Sequence, residues 1–131
     1  MEFSTLVPEL SVTDIVKTKW FYIDLLGFKL EYERIEDRFA YLSNGKAQIM
    51  IEEINGHWNT GELKYPFGRG INFQISVLNI EPIIERLKIH KIPLFREPTV
   101  AEYKGNGEIF KQKEFLVQDL DGYLLRFVQV L

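Results

Sequence analysis

Apolar and polar residues alternate with a period of two near the start of the chain. Leu6, Leu10 and Val12 alternate with polar neighbours over Ser4 to Val12, which predicts a half-buried β-strand. Pro8 lies within this pattern and has no N–H to donate to a sheet. The strand is therefore expected at a sheet edge, at a bend, or where the chain crosses to another subunit.

A helical pattern and three short strands follow. Asp14 is placed to cap a helix from about Ile15 to Leu26, and Gly27 supplies the C-terminal stop. The next predicted elements are strands over Lys29 to Arg34, Phe39 to Ser43 and Ala47 to Glu52, with Asn44-Gly45 as the hairpin turn between the last two.

The second half of the chain repeats this order after a loop. Residues 54–69 mix turn formers with aromatic residues and have no period, so they are predicted to connect two modules. The elements predicted after Gly70 are a strand over Ile71 to Val77, a helix capped by Asn79 over Ile80 to His90 with Pro82 in its first turn, a strand over Leu94 to Arg96, an irregular stretch over Glu97 to Gly107, and strands over Phe110 to Gln118 and Tyr123 to Val130 around an Asp121-Gly122 turn.

The repeated order of elements is also visible as an internal repeat in the sequence. Leu10-Ser11-Val12-Thr13-Asp14-Ile15 and Ile75-Ser76-Val77-Leu78-Asn79-Ile80 match at a fixed offset of 65 positions, from 10 to 75. Two β-α-β-β-β units therefore follow one another, which predicts an α+β fold whose two half-sheets curve around a cleft. One domain over residues 1–131 is expected, with module one at about 1–66 and module two at about 67–131.

The composition is that of an ordinary globular protein. The 131 residues are 46% hydrophobic and 27% charged, with no cysteine and a formal charge of −3. Without cysteine there is no disulfide, thiolate zinc site or cysteine nucleophile, so the cytoplasm is the expected location. No signal-peptide pattern opens the chain and no apolar run approaches the roughly 20 residues that span a bilayer, so no membrane partner is expected. Scattered basic residues argue against a nucleic-acid partner.

Three segments together resemble the vicinal-oxygen-chelate superfamily, and within it the bleomycin resistance proteins. They are Val-Pro-Glu-Leu-Ser-Val-Thr-Asp at 7–14, Phe-Tyr-Ile-Asp-Leu-Leu-Gly-Phe at 21–28, and the stretch 114–127 with its Asp-x-Asp-Gly-Tyr hairpin. The resemblance covers essentially the whole chain. It implies two tandem βαβββ modules forming curved mixed sheets, the glyoxalase-like fold, in a domain-swapped dimer.

The resemblance also implies where a metal would be held. Enzymes of the superfamily bind a divalent ion with histidine and glutamate from the first and last strands of each module. The corresponding positions look like Val7, Ile49 (or Met50 or Ile51 in a shifted register), Asn72 and Arg126. Valine and isoleucine offer no lone pair and arginine repels a cation, so neither a metal nor another cofactor is expected.

The resistance proteins of the superfamily are metal-free dimers that sequester the drug in two clefts between subunits. Their first strand carries a proline near position 8 and swaps into the partner, so Pro8 looks like that dimer hinge. Tyr32 and Phe39 match their cleft residues, as does Phe110 with its neighbours before Lys113-Glu114-Phe115. The partners implied are a bleomycin-like small molecule and a second copy of the chain.

Aromatic and acidic side chains are the candidates for binding such a ligand, since rings stack on a flat heteroaromatic group and a carboxylate pairs with an amine. Aromatics on strands are usually core and most carboxylates are simply solvated, so each candidate also has a structural interpretation. The predicted ligand-binding residues are Tyr32, Phe39, Tyr41, Glu52, Trp58, Phe73, Tyr103 and Phe110.

No residue is predicted to be catalytic. His57 has no acidic orienter at a recognisable spacing, and His90 lies near a helix C-terminus, so both have structural interpretations. Ser11 and Ser76 lack the Gly-x-Ser-x-Gly elbow of serine hydrolases. The hypothesis is a drug-binding resistance protein without chemistry. Its alternatives are an enzyme of the same fold, metal-dependent or metal-free through Arg126 and a carboxylate, and a binding module for another metabolite.

Overall fold

Each half of the chain forms one four-stranded mixed sheet with little helix, as the repeat predicts. The computed structural model describes residues 1–131. The chain divides into two compact units, one of residues 1–67 and 120–122 and the other of residues 68–119 and 123–131. No helix in the structure has both the length and the apolar character needed to cross a membrane.

The first unit contains four strands in the order β1-β4-β3-β2. Strands β1 and β4 are parallel and the other neighbours are antiparallel. Its elements are β1 (Glu9–Val12), α1 (Ile15–Trp20), a π-helical turn (Phe21–Leu25), β2 (Lys29–Arg34), β3 (Phe39–Asn44) and β4 (Ala47–Glu53).

The second unit repeats this topology with strand order β5-β8-β7-β6. Strands β5 and β8 are parallel, whereas β8, β7 and β6 form an antiparallel meander. Its elements are β5 (Asn72–Ser76), α2 (Glu81–Ile89), β6 (Arg96–Gly105), β7 (Glu108–Gln118) and β8 (Leu124–Val130). The two tandem βαβββ modules of the sequence prediction are confirmed.

The first helix starts as predicted but changes its winding. Asp14 caps it by accepting a hydrogen bond from the Lys17 backbone N–H at 3.0 Å. The α-helix ends at Trp20, and the predicted single helix continues instead as the π-helical turn up to Leu25. This wider turn directs Phe21, Tyr22 and Leu25 into the core, where each is almost fully buried.

The first strand is shorter than predicted. The pattern indicated Ser4 to Val12, whereas β1 begins at Glu9, directly after Pro8. Proline cannot donate to a ladder, but the Pro8 carbonyl accepts from the Met50 N–H at 2.9 Å. β1 is an edge strand, one of the three places expected for a strand with this proline.

The largest correction concerns residues 97–107, which were predicted to be irregular. They form most of β6 and its turn into β7. Few of the β6 side chains are apolar, so the period-two signal is weak. The informative signal was Asn106-Gly107, both with positive φ (49° and 77°), the conformation that Asn-Gly favours in a two-residue hairpin turn.

Smaller boundaries shift by a residue or two. Asn44 is the last paired residue of β3, so the hairpin turn is Gly45-Lys46 rather than Asn44-Gly45. Asn79 does not cap α2, because the N-cap residue is Ile80. The Asn79 side chain instead accepts a hydrogen bond from the N–H of Glu81, the first residue of the helix. The strand predicted to start at Leu94 begins at Arg96.

In each sheet one face packs against the helix of its own unit. In the first unit Lys19 bonds Glu33 at 3.0 Å and the Ile15 N–H donates to Glu53, which places α1 over the face that carries both glutamates. In the second unit the Ile80 N–H donates to the Gln129 side chain and Lys113 contacts Glu81. The opposite side of each sheet is called its helix-free face below.

Candidate functional site

Three predicted aromatic residues lie together on the helix-free face of the first sheet. Tyr32 and Tyr41 are cross-strand partners on β2 and β3, and their rings stack with centroids 5.3 Å apart and planes at 18°. The Phe39 ring lies 5.9 Å from that of Tyr32. Alternation along β3 puts Phe39 and Tyr41 on the same side, and the pairing of β2 with β3 adds Tyr32, which completes an aromatic wall of Tyr32, Phe39 and Tyr41.

Two side chains that the sequence analysis did not identify cover this wall. The guanidinium carbon of Arg34 lies 3.9 Å above the centre of the Phe39 ring, a cation–π distance. Phe3 packs edge-on against Tyr41 at 5.2 Å and against Tyr32 at 6.3 Å. As a result Phe39 and Tyr41 are only 2% and 4% exposed, while Tyr32 is 39% exposed.

Phe3 is held there by a strap of residues 1–8 that is anchored on Gln48. The Gln48 side-chain oxygen accepts from the Ser4 N–H and from the Tyr41 hydroxyl, each at 2.7 Å. Its amide nitrogen donates to the Glu2 carbonyl at 2.8 Å. Alternation along β4 could have placed Gln48 on this face, but nothing local predicts that the strap returns to it.

Two carboxylates share the same face as the wall. Glu9 on β1 and Glu52 on β4 are diagonal neighbours, because Glu9 pairs with Met50 and Ser11 pairs with Glu52. Burial raises the pKa of Glu9, the negative charge of Glu52 raises it further, and Arg34 acts in the opposite direction. A ligand cation placed between the two carboxylates would relieve their repulsion.

Tyr41 is a weaker acid than an ordinary tyrosine. Burial, followed by the proximity of Tyr32, raises the pKa of Tyr41, so its hydroxyl keeps its proton and donates to Gln48. The first sheet therefore offers stacking surface and negative charge on one face, which is suited to holding a flat cation.

The other predicted binding residues are not part of this cluster. Trp58 lies in the loop after β4, is 66% exposed, and contacts the His57 ring edge-on. Phe73 pairs with Leu125 and shares the helix-covered face of the second sheet, so the structure does not bring it together with Tyr103 and Phe110. Tyr103 and Phe110 are cross-strand partners on the helix-free face of that sheet.

A buried polar cluster lies next to Tyr103 and was not identified as a unit from the sequence. The Tyr103 hydroxyl donates a hydrogen bond to Glu114 Oε1, and this contact raises the pKa of Tyr103 most, followed by burial. Arg126 Nη1 lies 3.4 Å from the Tyr103 oxygen and 3.5 Å from Glu114 Oε2. Glu114 is 6% exposed.

Two atoms of this cluster lack a hydrogen bond. Glu114 Oε2 and Arg126 Nε are both buried and without a hydrogen-bond partner. Leaving a buried polar group unpaired costs about 1–3 kcal/mol. Sequence reasoning could assign Glu114 and Arg126 to neighbouring strands, but only the sheet register reveals that they face each other.

The residues at the positions implied for a metal do not fit one. Val7 carries no donor atom, and Ile49 is buried on the helix-covered face; of the alternative positions in β4, Met50 is on the helix-free face and Ile51 is not. Asn72 offers one amide oxygen, and Arg126 carries a positive charge. No group of three or more histidine, aspartate or glutamate side chains could hold an ion in either unit.

A surface cavity of the first unit, about 520 Å³, lies where α1 begins beside the end of β2, and Phe39 is the one wall residue that lines it. Its charged side chains already pair with one another: Lys19 with Glu33 at 3.0 Å, and Arg38 with Glu53 at 2.5 Å. Because these groups satisfy each other, this cavity offers less to a ligand than the aromatic wall does.

Comparison with known proteins assigns the fold. No curated protein sequence matches the chain. TioX from Micromonospora sp. ML1 superposes with a TM-score of 0.71 at 20% identity, over 98% of this chain and 100% of that one. A glyoxalase/bleomycin resistance protein/dioxygenase from Alicyclobacillus acidocaldarius gives 0.64 at 20% identity, over 97% and 91%.

A family model places the chain more directly. A superfamily member from Vibrio splendidus is 34% identical over 94% of this chain and 95% of its own, with a TM-score of 0.43. The family model that matches covers residues 5–127. The chain therefore belongs to the glyoxalase/bleomycin resistance protein/dioxygenase superfamily.

Proposed function

We propose that this protein binds a flat, cationic small molecule of the bleomycin type and sequesters it without chemical change. The observation that carries the proposal is the stacked Tyr32–Tyr41 pair, which lies on one sheet face together with Glu9 and Glu52. A flat ring can extend the stack, and a cationic group can pair with the carboxylates.

Access to the wall requires a rearrangement. Tyr32 is the only wall residue with a large exposed fraction, so a ligand first meets this ring. To reach Tyr41 the ligand takes the place of Phe3, whose ring packs edge-on against Tyr41. Around Phe3 the strap is held by the hydrogen bonds of Glu2 and Ser4 to Gln48 and by a long hydrogen bond from the Ser4 hydroxyl to the Lys46 carbonyl, so a ligand can displace it.

We also propose that the binding form is a cytoplasmic homodimer in which Pro8 is the hinge for exchange of the first strand. β1 is an edge strand of four residues, so exchanging it between subunits replaces few hydrogen bonds. A C2 dimer would contain two equivalent clefts. Sedimentation velocity distinguishes the dimer from a monomer, and a monomer at tens of micromolar would contradict this part of the proposal.

Titration calorimetry tests the drug-binding proposal directly. We expect saturable binding of metal-free bleomycin and of its copper complex. A dissociation constant weaker than about 1 mM, near −4 kcal/mol, would be too weak for sequestration and would overturn the proposal.

A matched pair of variants connects binding to the wall. Tyr32→Ala removes the exposed wall ring, whereas Phe95→Ala removes an exposed ring (52%) that is not part of the wall. In cells challenged with bleomycin, Tyr32→Ala should lose most of the protection and Phe95→Ala should keep it. Equal survival of wild type and empty vector would contradict resistance as the role.

An enzyme of the same fold is the second candidate, favoured by the placement of Arg126 beside the buried Glu114. A guanidinium and a carboxylate at this separation could bind and polarise a substrate without a metal. Mass spectrometry of bleomycin recovered after incubation with the protein separates the candidates: an unchanged mass supports sequestration, and a changed mass supports an enzyme. Stoichiometric metal in the purified protein would also favour an enzyme.

A further inference from the structure

The cluster of Tyr103, Glu114 and Arg126 occupies three adjacent strands on the helix-free face of the second sheet. Leu116 is the cross-strand partner of Arg126, and Glu114 lies two residues before Leu116 on β7. Glu114 and Arg126 are therefore diagonal neighbours, the arrangement in which long side chains on one sheet face meet.

The two side chains meet imperfectly. Their nearest charged atoms are 3.5 Å apart, beyond the usual length of an N–H···O hydrogen bond. Glu114 Oε2 is left without a donor and Arg126 Nε without an acceptor, although both atoms are buried. Tyr103 occupies the other carboxylate oxygen and holds Glu114 in this position.

A group that completes this arrangement must do two things at once. It must donate to Glu114 Oε2 and accept from Arg126 Nε. A carboxylate only accepts and an ammonium group only donates, whereas a primary carboxamide carries an NH₂ donor and an oxygen acceptor in one plane.

The charge of the surrounding face also favours a neutral group. The register places Arg96 with Leu116, and Glu108 lies at the start of β7 on the same face as Glu114. With Arg126 these residues contribute two positive and two negative charges, which cancel. The face therefore has no net charge with which to select an ion.

Further amide-binding groups line the same face. Asn72 and Gln74 are exposed on β5, and Gln74 is the cross-strand partner of Arg126. Gln112 precedes Glu114 by two residues on β7 and points to the same side. These carboxamide side chains offer hydrogen-bond donors and acceptors along the sheet, on either side of the Glu114–Arg126 pair.

We infer that the unpaired atoms Glu114 Oε2 and Arg126 Nε together bind a primary carboxamide of an uncharged, amide-rich ligand segment. Arg126 is 27% exposed, so its side chain can turn outward and admit the group. The inference goes beyond the proposed function and does not depend on it, because Glu114 and Arg126 lie in the second unit whereas the aromatic wall lies in the first.

The test uses the full chain and N-acetylglycinamide as the probe. Nuclear magnetic resonance follows the Arg126 Nε–H signal and the side-chain NH₂ signals of Gln74 and Gln112 during titration. We expect saturable shifts of the Arg126 signal with the amide. Sodium acetate, methylammonium chloride and glycerol, as anionic, cationic and hydroxyl probes, should each shift it much less.

Variants assign the site. Arg126→Lys keeps the charge but loses the Nε–H geometry and should weaken amide binding at least tenfold, as followed by the Gln74 and Gln112 signals. Arg96→Lys, the same change at an exposed arginine of the same face, should leave binding unchanged. Tyr32→Ala should also leave it unchanged, so that failure of the drug proposal is distinguishable from failure of this one.

Three outcomes would overturn the inference. An Arg126 signal that does not respond to the amide means that Arg126 stays paired with Glu114 and admits no ligand. An equal response to glycerol means a site for any hydroxyl, and a stronger response to acetate means an anion site. If Arg126→Lys fails to fold, Gln112→Ala is tested instead. Gln112→Ala should show a weaker response to the amide, and an unchanged response would count against the site.

Discussion

Thr13 and Asp121 lie 108 positions apart in the sequence, yet the Asp121 carboxylate accepts two hydrogen bonds from Thr13. One comes from the Thr13 hydroxyl at 2.6 Å and the other from its backbone N–H at 3.1 Å. Asp121 is 4% exposed and belongs to the first unit with Leu120 and Gly122. The second aspartate of the Asp-x-Asp-Gly-Tyr motif thus holds Thr13, the residue just before the Asp14 cap of α1.

We expect Asp121→Ala to destabilise the protein by about 2–3 kcal/mol, because hydrogen bonds to a buried charge contribute about 1.5–3 kcal/mol. Urea unfolding followed by circular dichroism measures the change. Leu120→Ala, at the more exposed neighbour, is the control and should have little effect. An unchanged midpoint for Asp121→Ala would show that the two bonds contribute nothing net.

Gly122 should be intolerant of any side chain. Its φ is 97°, and an added Cβ would lie 2.6 Å from the Cα of Pro66. We expect Gly122→Ala to lose at least about 2 kcal/mol of stability from strain and overlap. Gly61 has ordinary φ and open space around it, so Gly61→Ala is the matched control. Equal melting temperatures for the two variants would contradict the tight approach.

Removal of the Phe3 ring should strengthen drug binding. The closer of its two edge-on contacts, to Tyr41, contributes about 0.5–1.5 kcal/mol, and a ligand no longer has to displace it, so Phe3→Ala should tighten binding by at least roughly twofold to tenfold. Leu6→Ala is the control, since Leu6 is on the strap but 85% exposed. Weaker binding by Phe3→Ala would mean that Phe3 contacts the ligand rather than competes with it.

Binding of a cationic ligand should depend on pH through Glu9. The pKa of Glu9 is raised, so its carboxylate becomes protonated at a higher pH than an ordinary glutamate as the solution is acidified. Affinity should therefore fall as the pH drops through this raised pKa. Calorimetric titrations across the acidic range measure the profile, and Glu9→Gln should flatten it while lowering affinity at neutral pH.

The same residue gives an opposite expectation for stability. A raised carboxyl pKa in the folded state means that the fold favours protonated Glu9, so its contribution to stability is largest at low pH and is lost as the pH rises through the raised pKa. Glu9→Gln should thus be slightly more stable than wild type at neutral pH. A variant that is less stable there would contradict repulsion between Glu9 and Glu52.

The sequence by itself determined the order of elements and which side chains share a face. Period-two alternation placed Phe39 and Tyr41 together, and the offset between Leu10 and Ile75 revealed the second module, because these signals depend only on neighbours along the chain. The Asp14 cap was readable for the same reason. The family resemblance was carried by motifs of this local kind.

Only the tertiary structure decided what covers those faces. Phe3 returns to Tyr41 and Arg34 lies over Phe39, so two predicted stacking residues are buried. Strand pairing brings Glu114 beside Arg126, and it turns the polar segment before Asn106 into a strand. These contacts depend on strand register and on residues that are far apart in the sequence, so they cannot be predicted from periodicity along the chain.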